Sequence, residues 1–422
     1  MNINSNRNRW YTLIIAVLTC FSIYGSITAY AVAIPYLSQI LQVSENAVSL
    51  GSSFFLVGLA LSLIVGGMVV DHIGAKKTVF VAFILLLVPF VLIPHVGNIE
   101  VVWALRFIQG WSLISWSAFM VSFMPLFPDK KGLASSIFLG GSIGGSGVGG
   151  IIAGYIIPNW GVEICFYILS AIALIFFVIW ESTVKIPKSK VTAKKEEKEA
   201  SYSQLVKMIE TWGLVLIIVA NMWLYFGMST VTSSYGQFLG YSTQAIGLVT
   251  FGFTPACILG AILGGVLGDK ATDKFATPGG ARSLVILVAV TIALIGTAFI
   301  PIMSEINLIA FTAIIFLVMF VNALSQGAYW ALPFDVYPEE LRSAGSTFGC
   351  GIGSLPKFLA PLVMGVVLAP AWRFSWWTCT ILSILGVIGA SFIIKKHSLT
   401  SASVKSSSRR EEQKSSQGVS QE

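Results

Sequence analysis

The chain has 422 residues, 55% of them hydrophobic and only 11% charged, with a net charge of +7 at neutral pH. So little charge cannot cover the surface of a soluble protein of this length. The apolar residues fall in long runs, which fits helical membrane spans and argues against the short alternating strands of an outer-membrane barrel.

The runs predict twelve spans, at about 11–34, 46–70, 78–95, 100–124, 132–157, 161–182, 210–235, 243–267, 283–302, 305–331, 343–368 and 371–394. The fold class they imply is an all-α membrane protein with twelve transmembrane helices. The first run is a full-length span with no small-residue cleavage pattern after a short core, so no cleavable signal is expected. Cys20, Cys165, Cys257, Cys350 and Cys379 all lie in apolar runs. They read as small packing residues, with no disulfide framework and no metal-ligand spacing.

Lysine and arginine set the expected orientation. Of the 26 basic residues, all but Arg106, Lys357 and Arg373 fall on one side if the N-terminus is inside. The positive-inside rule then puts both termini in the cytoplasm of a cell (plasma or inner) membrane. It also accounts for the basic charge without any nucleic-acid partner. Residues 183–208 form a charged linker between two sets of six spans. A surface helix over about 193–208 and a tether at the lipid headgroups fit it equally well. Residues 395–422 are rich in Ser, Gln and charge and are expected to be disordered.

The two sets repeat. Gly67-Met-Val-Val-Asp71 before Lys76 and Lys77 corresponds to Gly265-Val-Leu-Gly-Asp269 before Lys270. Phe127-Pro-Asp-Lys-Lys before span five corresponds to Tyr337-Pro-Glu-Glu-Leu-Arg before span eleven. Two pseudo-symmetric six-helix halves, 1–182 and 209–394, with a site near the midplane between them, are the mark of a repeat-built transporter. An Asp at its own helix C-terminus meets the unfavourable end of the dipole. It needs a partner, either the basic residues after it or the amino end of a neighbouring helix. Asp71, Lys76, Lys77, Asp269 and Lys270 are therefore expected to form conformational latches. A plain topology anchor is the other reading.

Lys357 stands out. It lies near the centre of span eleven, roughly 21 Å from Ser343 and roughly 17 Å from Leu368 along the helix. It cannot snorkel to either surface from there, and a mid-bilayer charge costs at least about 2.5 kcal/mol. Such residues usually face a cavity on a substrate path. A lysine held in a watery crevice or by backbone carbonyls is the structural alternative. Away from their ends, the predicted spans hold two basic residues, Arg106 and Lys357, and no acid. The missing countercharge is then expected to be the substrate, an anion. Arg106 lies nearer the outer end, where pairing with Glu100 and facing the cavity are equally open.

Aromatic and polar residues on spans one, four, seven and ten can shape such a site. They include Tyr24, Tyr30, Trp116, Trp223, Tyr225, Gln326, Tyr329 and Trp330. Tyr30, Trp330 and Lys357 are the preferred trio, although packing remains the better reading for any single ring. Pro356 and Pro361 flank Lys357, and glycines thin span eleven around Gly353 and span five around Gly145 and Gly149. These two spans are expected to line the interface between the halves and to bend or rock.

Gly67-x-x-x-Asp71-x-x-Gly74-x-Lys76-Lys77, Arg106-x-x-Gln109-Gly110 and Gly141-x-x-x-Gly145-Ser146-x-x-Gly149-Gly150 resemble the loop, span-four and span-five signatures of the major facilitator superfamily. The resemblance covers essentially all twelve spans. The departures are His72 and Ala75 in the first motif and Ser146, where the antiporter signature has proline. A lysine in span eleven with aromatic residues in spans one and ten further resembles the oxalate/formate antiporter group and its carboxylate-carrying relatives. That group also has an arginine in span eight, and residues 243–267 hold no basic residue. A monocarboxylate held mainly by Lys357 fits better than a clamped dianion.

The expected function is a secondary active transporter, antiporter or symporter, moving a small organic anion by alternating access. Its partners would be the anion, membrane lipid and a coupling proton or exchanged anion. The alternative is a proton-coupled carrier of a neutral or cationic solute, with Lys357 structural. An enzyme is not expected. The only histidines, His72, His95 and His397, lie at ends or loops, and no H-E-x-x-H or P-loop occurs, so no metal, cofactor or ATP is implied.

Overall fold

The computed structural model describes residues 6–184, 202–274, 277–367 and 371–418, and its elements among these are all helical. Helix ends follow from the sequence. The Ser44 hydroxyl accepts the Ala47 N–H and caps span two (Glu45–Ile73). That span ends where Gly74 adopts φ 84° and donates to the Val70 carbonyl at 2.8 Å. Only glycine takes this backbone without strain.

Ten helices among the described residues are long and apolar enough to cross a membrane. One of them, Lys131–Thr183, is 53 residues long and contains Gly161 at φ 89° and ψ 167°. The chain turns there, so this element holds predicted spans five and six. Spans one, three, seven, nine and ten are Asn6–Leu41, Ala75–Leu92, Ile209–Phe238, Pro278–Ile306 and Leu308–Tyr329. Span four is Ile99–Gly110 and Ser115–Phe123 joined by a tight turn, and span eight is Thr243–Phe251 and Phe253–Thr272 joined at Gly252. Span eleven is in three pieces, Arg342–Gly353, Pro356–Leu362 and Val363–Val367.

Three differences from the sequence reading matter. Span nine starts at Pro278, a favoured first helical residue, and so carries Arg282 inside a helix instead of in a loop. Of the linker, 185–201 lies outside the described residues, and the remainder contains one short helix, Tyr202–Lys207. The last helix, Trp372–Gly418, continues past the point where disorder is expected from composition. Extending an existing helix needs no new nucleus.

Span five packs between spans one and eight. Its Gly145 and Gly149 lie against the backbone of Phe21 and Gly25, and Gly132 lies against Gly265. Span eleven packs in the matching way between spans seven and two. Gly353 lies against Ile218, and Gly351 against Ile64. Small residues permit these close approaches. The outer surface carries exposed Ile, Leu, Phe and Trp side chains, such as Ile309, Phe374 and Trp377. A lipid-facing wall needs this composition.

Candidate functional site

Span eleven breaks where its sequence cannot sustain a helix. Pro356 has no N–H to give the Ile352 carbonyl, and that carbonyl takes the Leu355 N–H at 3.3 Å instead. Lys357 N–H likewise reaches back three residues, to Ser354, at 3.0 Å. Lys357 therefore sits just after the break and half-buried. No carboxylate lies within 4.0 Å of its ammonium among the described residues. Its ammonium lies over the ring of Phe226 of span seven, with Nζ 5.9 Å from the centroid.

Four of the predicted rings do come together. Trp116 of span four meets Trp330 of span ten at 4.8 Å between ring centroids. Tyr24 lies 6.3 Å from Trp116, edge to face, and Tyr329 lies 5.3 Å from Trp330. The Trp116 and Trp330 indole N–H groups and the Tyr329 hydroxyl have no hydrogen-bond partner among the described residues. Gln326 is buried one turn before Trp330 on the same span. Trp116 is a ring that the sequence could offer only as one of several. Nothing in its spacing distinguishes it from Trp111.

Tyr30 and Arg106 form a separate, sealed group. The Arg106 guanidinium lies 4.0 Å from the Tyr30 ring centroid and 4.6 Å from that of Phe55, and its side chain bonds Gln109. Tyr30 is fully buried and donates to the Val48 carbonyl at 2.7 Å. Gly51 leaves room for both, since a Cβ there would strike the Tyr30 hydroxyl. Arg106 does not pair with Glu100. Of the preferred trio of Tyr30, Trp330 and Lys357, Tyr30 is thus committed to Arg106 and Val48. Of the other rings, Trp223 is tied to Thr378 of span twelve at 3.0 Å.

The basic end of the bundle is closed by polar contacts between distant spans. Asp269 accepts the N–H groups of Gly132 at 2.7 Å and Leu133 at 2.8 Å. It also holds Arg282 at 3.0 Å. Arg282 bonds Asp335 at 2.7 Å, and Asp335 bonds Lys131 at 2.6 Å. Of the two partners open to Asp269, the structure selects the amino end of span five, where the helix dipole favours a carboxylate. Lys270 is exposed and outside this network. In the matching position Asp71 lies against Ser343 at the start of span eleven. Thr347 accepts the Gly67 N–H at 3.0 Å and Ser343 donates to the Gly67 carbonyl at 3.1 Å. Lys76 turns away to the Glu181 carbonyl at 2.7 Å, and Lys77 is exposed. Arg282, Asp335 and Lys131 are the members that sequence reasoning left out. Their link is visible only once span nine is known to begin at Pro278.

Long apolar helices, an apolar outer wall and glycine-lined seams define a multi-pass integral membrane protein. The profile of the Major Facilitator Superfamily matches residues 16–359, and the chain belongs to that superfamily. It is a secondary transporter and not an enzyme. One relative is an uncharacterized MFS-type transporter of Escherichia coli, YhjX, 26% identical over 75% of this chain and 78% of its own. Another, from Cupriavidus necator, is described as a probable sulfoacetate transporter, SauU. It is 23% identical over 86% of this chain and 88% of its own. The fold matches the crystal structure of an E. coli fucose:proton symporter with a TM-score of 0.70, at 15% identity, over 90% of this chain and 98% of that one.

Proposed function

We propose that this transporter carries a small organic anion, in the first instance a monocarboxylate, by alternating access between two six-helix halves. The observation that carries the proposal is Lys357. It is a half-buried cation beside the break of span eleven, with no carboxylate within 4.0 Å among the described residues. The ring cluster of spans four and ten offers N–H and O–H donors from Trp116, Trp330 and Tyr329 that have no hydrogen-bond partner among the described residues. A cation and neutral donors suit a carboxylate, and the same cation repels an ammonium group. The name of the C. necator relative, a probable transporter of the anion sulfoacetate, points the same way. So does the likeness of the span-eleven lysine and its aromatic companions to the oxalate/formate group. A proton or an exchanged anion would complete the cycle. The basic end would face the cytoplasm, with both termini there and the plasma membrane around the bundle.

Tyr24, Tyr329, Trp330 and Gln326 would line the anion's path. Arg106 and Tyr30 would shape its wall from behind. The latches at Asp269 and Asp71 would break as the basic end opens, with spans five and eleven rocking on their glycines. The test is uptake into proteoliposomes of radiolabelled acetate, lactate, pyruvate and oxalate, against labelled glucose and choline. Uptake confined to the anions, and abolished in a folded Lys357→Gln variant, is the expected result. Full uptake in that variant, or uptake of the neutral or cationic solutes alone, overturns the reading.

A further inference from the structure

A lysine without a carboxylate partner still needs something to hold its charge and its position. We infer that Phe226 is the positioning residue of Lys357: its ring face holds the ammonium in the unliganded transporter and yields it to the entering anion. This rests on the anion reading above.

Three observations support the pairing. First, the Lys357 Nζ lies 5.9 Å from the Phe226 centroid, within the roughly 6 Å over which a ring face attracts a cation. Second, the seam that holds the two together is close-packed on both sides. Gly353 lies against Ile218 toward the basic end, and Gly227 lies against Met364 beyond the pair. Spans seven and eleven therefore cannot separate at the pair without opening these contacts. Third, Phe226 is itself held. Tyr225 meets it edge to face at 5.2 Å, and its carbonyl accepts the hydroxyls of Ser229 at 3.1 Å and Thr230 at 2.8 Å. Those hydroxyls are thereby occupied locally.

The chemistry explains why a ring serves here better than an acid. A carboxylate beside Lys357 would compete with the substrate for the ammonium with a full opposite charge. A ring face offers only a fraction of that attraction. It favours the charged form without blocking the anion. The charged groups on the neighbouring elements do not substitute for it. Arg106 is enclosed by Tyr30 and Phe55, and no acidic residue lies in the described parts of spans seven or eleven near the pair.

The test compares Phe226→Leu, Phe226→Tyr and Phe226→Trp in the full-length transporter. Two readouts are taken against pH: uptake of whichever labelled carboxylate the wild type accepts, and modification of Lys357 itself by an amine-reactive reagent, resolved by mass spectrometry. A ring face favours the ammonium, so removing it lets the lysine lose its proton at lower pH. The Phe226→Leu variant should show both profiles displaced toward lower pH by about half a unit. Tyr and Trp should restore them. Wild-type midpoints in the leucine variant, or a displacement that Tyr and Trp do not reverse, overturn the inference. The modification readout does not require transport. If the midpoint moves while Lys357→Gln still takes up anions, the pairing stands and the anion reading falls.

Discussion

Asp269 and Gly132 are joined across 137 positions of sequence: the carboxylate accepts the Gly132 backbone N–H at 2.7 Å. The acid at the end of span eight thereby caps the beginning of span five. It does so while holding Arg282, so one side chain ties three helices.

Asp269→Asn keeps a hydrogen-bond acceptor and removes the charge. One amide N–H loses its carboxylate, and Arg282 keeps only Asp335. Loss of a charge-assisted contact of this kind costs about 2 kcal/mol, or about thirtyfold in an equilibrium. The basic end should open more often. Ser136 is fully buried behind the latch, so a cysteine placed there reports the opening. Alkylation of Ser136→Cys should accelerate in the Asp269→Asn background. An unchanged rate would mean that the latch contributes nothing to closure.

Gly145→Leu and Gly353→Leu should both force helices apart. A Cβ at Gly145 would overlap the backbone of Phe21, which cannot move without parting spans one and five. A Cβ at Gly353 would lie 2.6 Å from the Cβ of Ile218, which side-chain rotation cannot displace, so spans seven and eleven would have to part there. Overpacking costs about 1–3 kcal/mol and more where backbone blocks the way. Both variants should accumulate poorly and melt early in detergent. Wild-type melting in either one would show that its seam can widen freely.

Tyr30→Phe tests the sealed group. The hydroxyl is committed to Val48, so its loss should cost about 1 kcal/mol of stability and leave Arg106 over the ring. Transport should be retained. A loss of transport with unchanged melting would instead put the Tyr30 hydroxyl on the substrate path.

Gly161→Ala should lower the thermal midpoint, because φ 89° with ψ 167° is accessible to glycine and strains alanine by about 1–3 kcal/mol. Gly147→Ala is the control. A Cβ there meets only a Thr254 methyl at 4.0 Å. It should be neutral or stabilising, as alanine is the better helix former.

The sequence by itself determined the membrane class, the helical spans and the break beside Lys357. Those features are local or compositional: apolar length, a missing proline N–H, a glycine at a cap. It also determined that Asp269 needed a partner, because a carboxylate at a helix carboxyl end is unstable alone. Which partner it takes was a tertiary matter, since the amino end of span five comes from more than a hundred residues away. The same holds for the rings. Spacing within a helix cannot say that Trp116 meets Trp330, or that Tyr30 turns away to stack on Arg106. Lys357 belongs to both levels. Its depth and isolation among acids were legible from one dimension, while the Phe226 ring beside it exists only through the packing of span seven on span eleven.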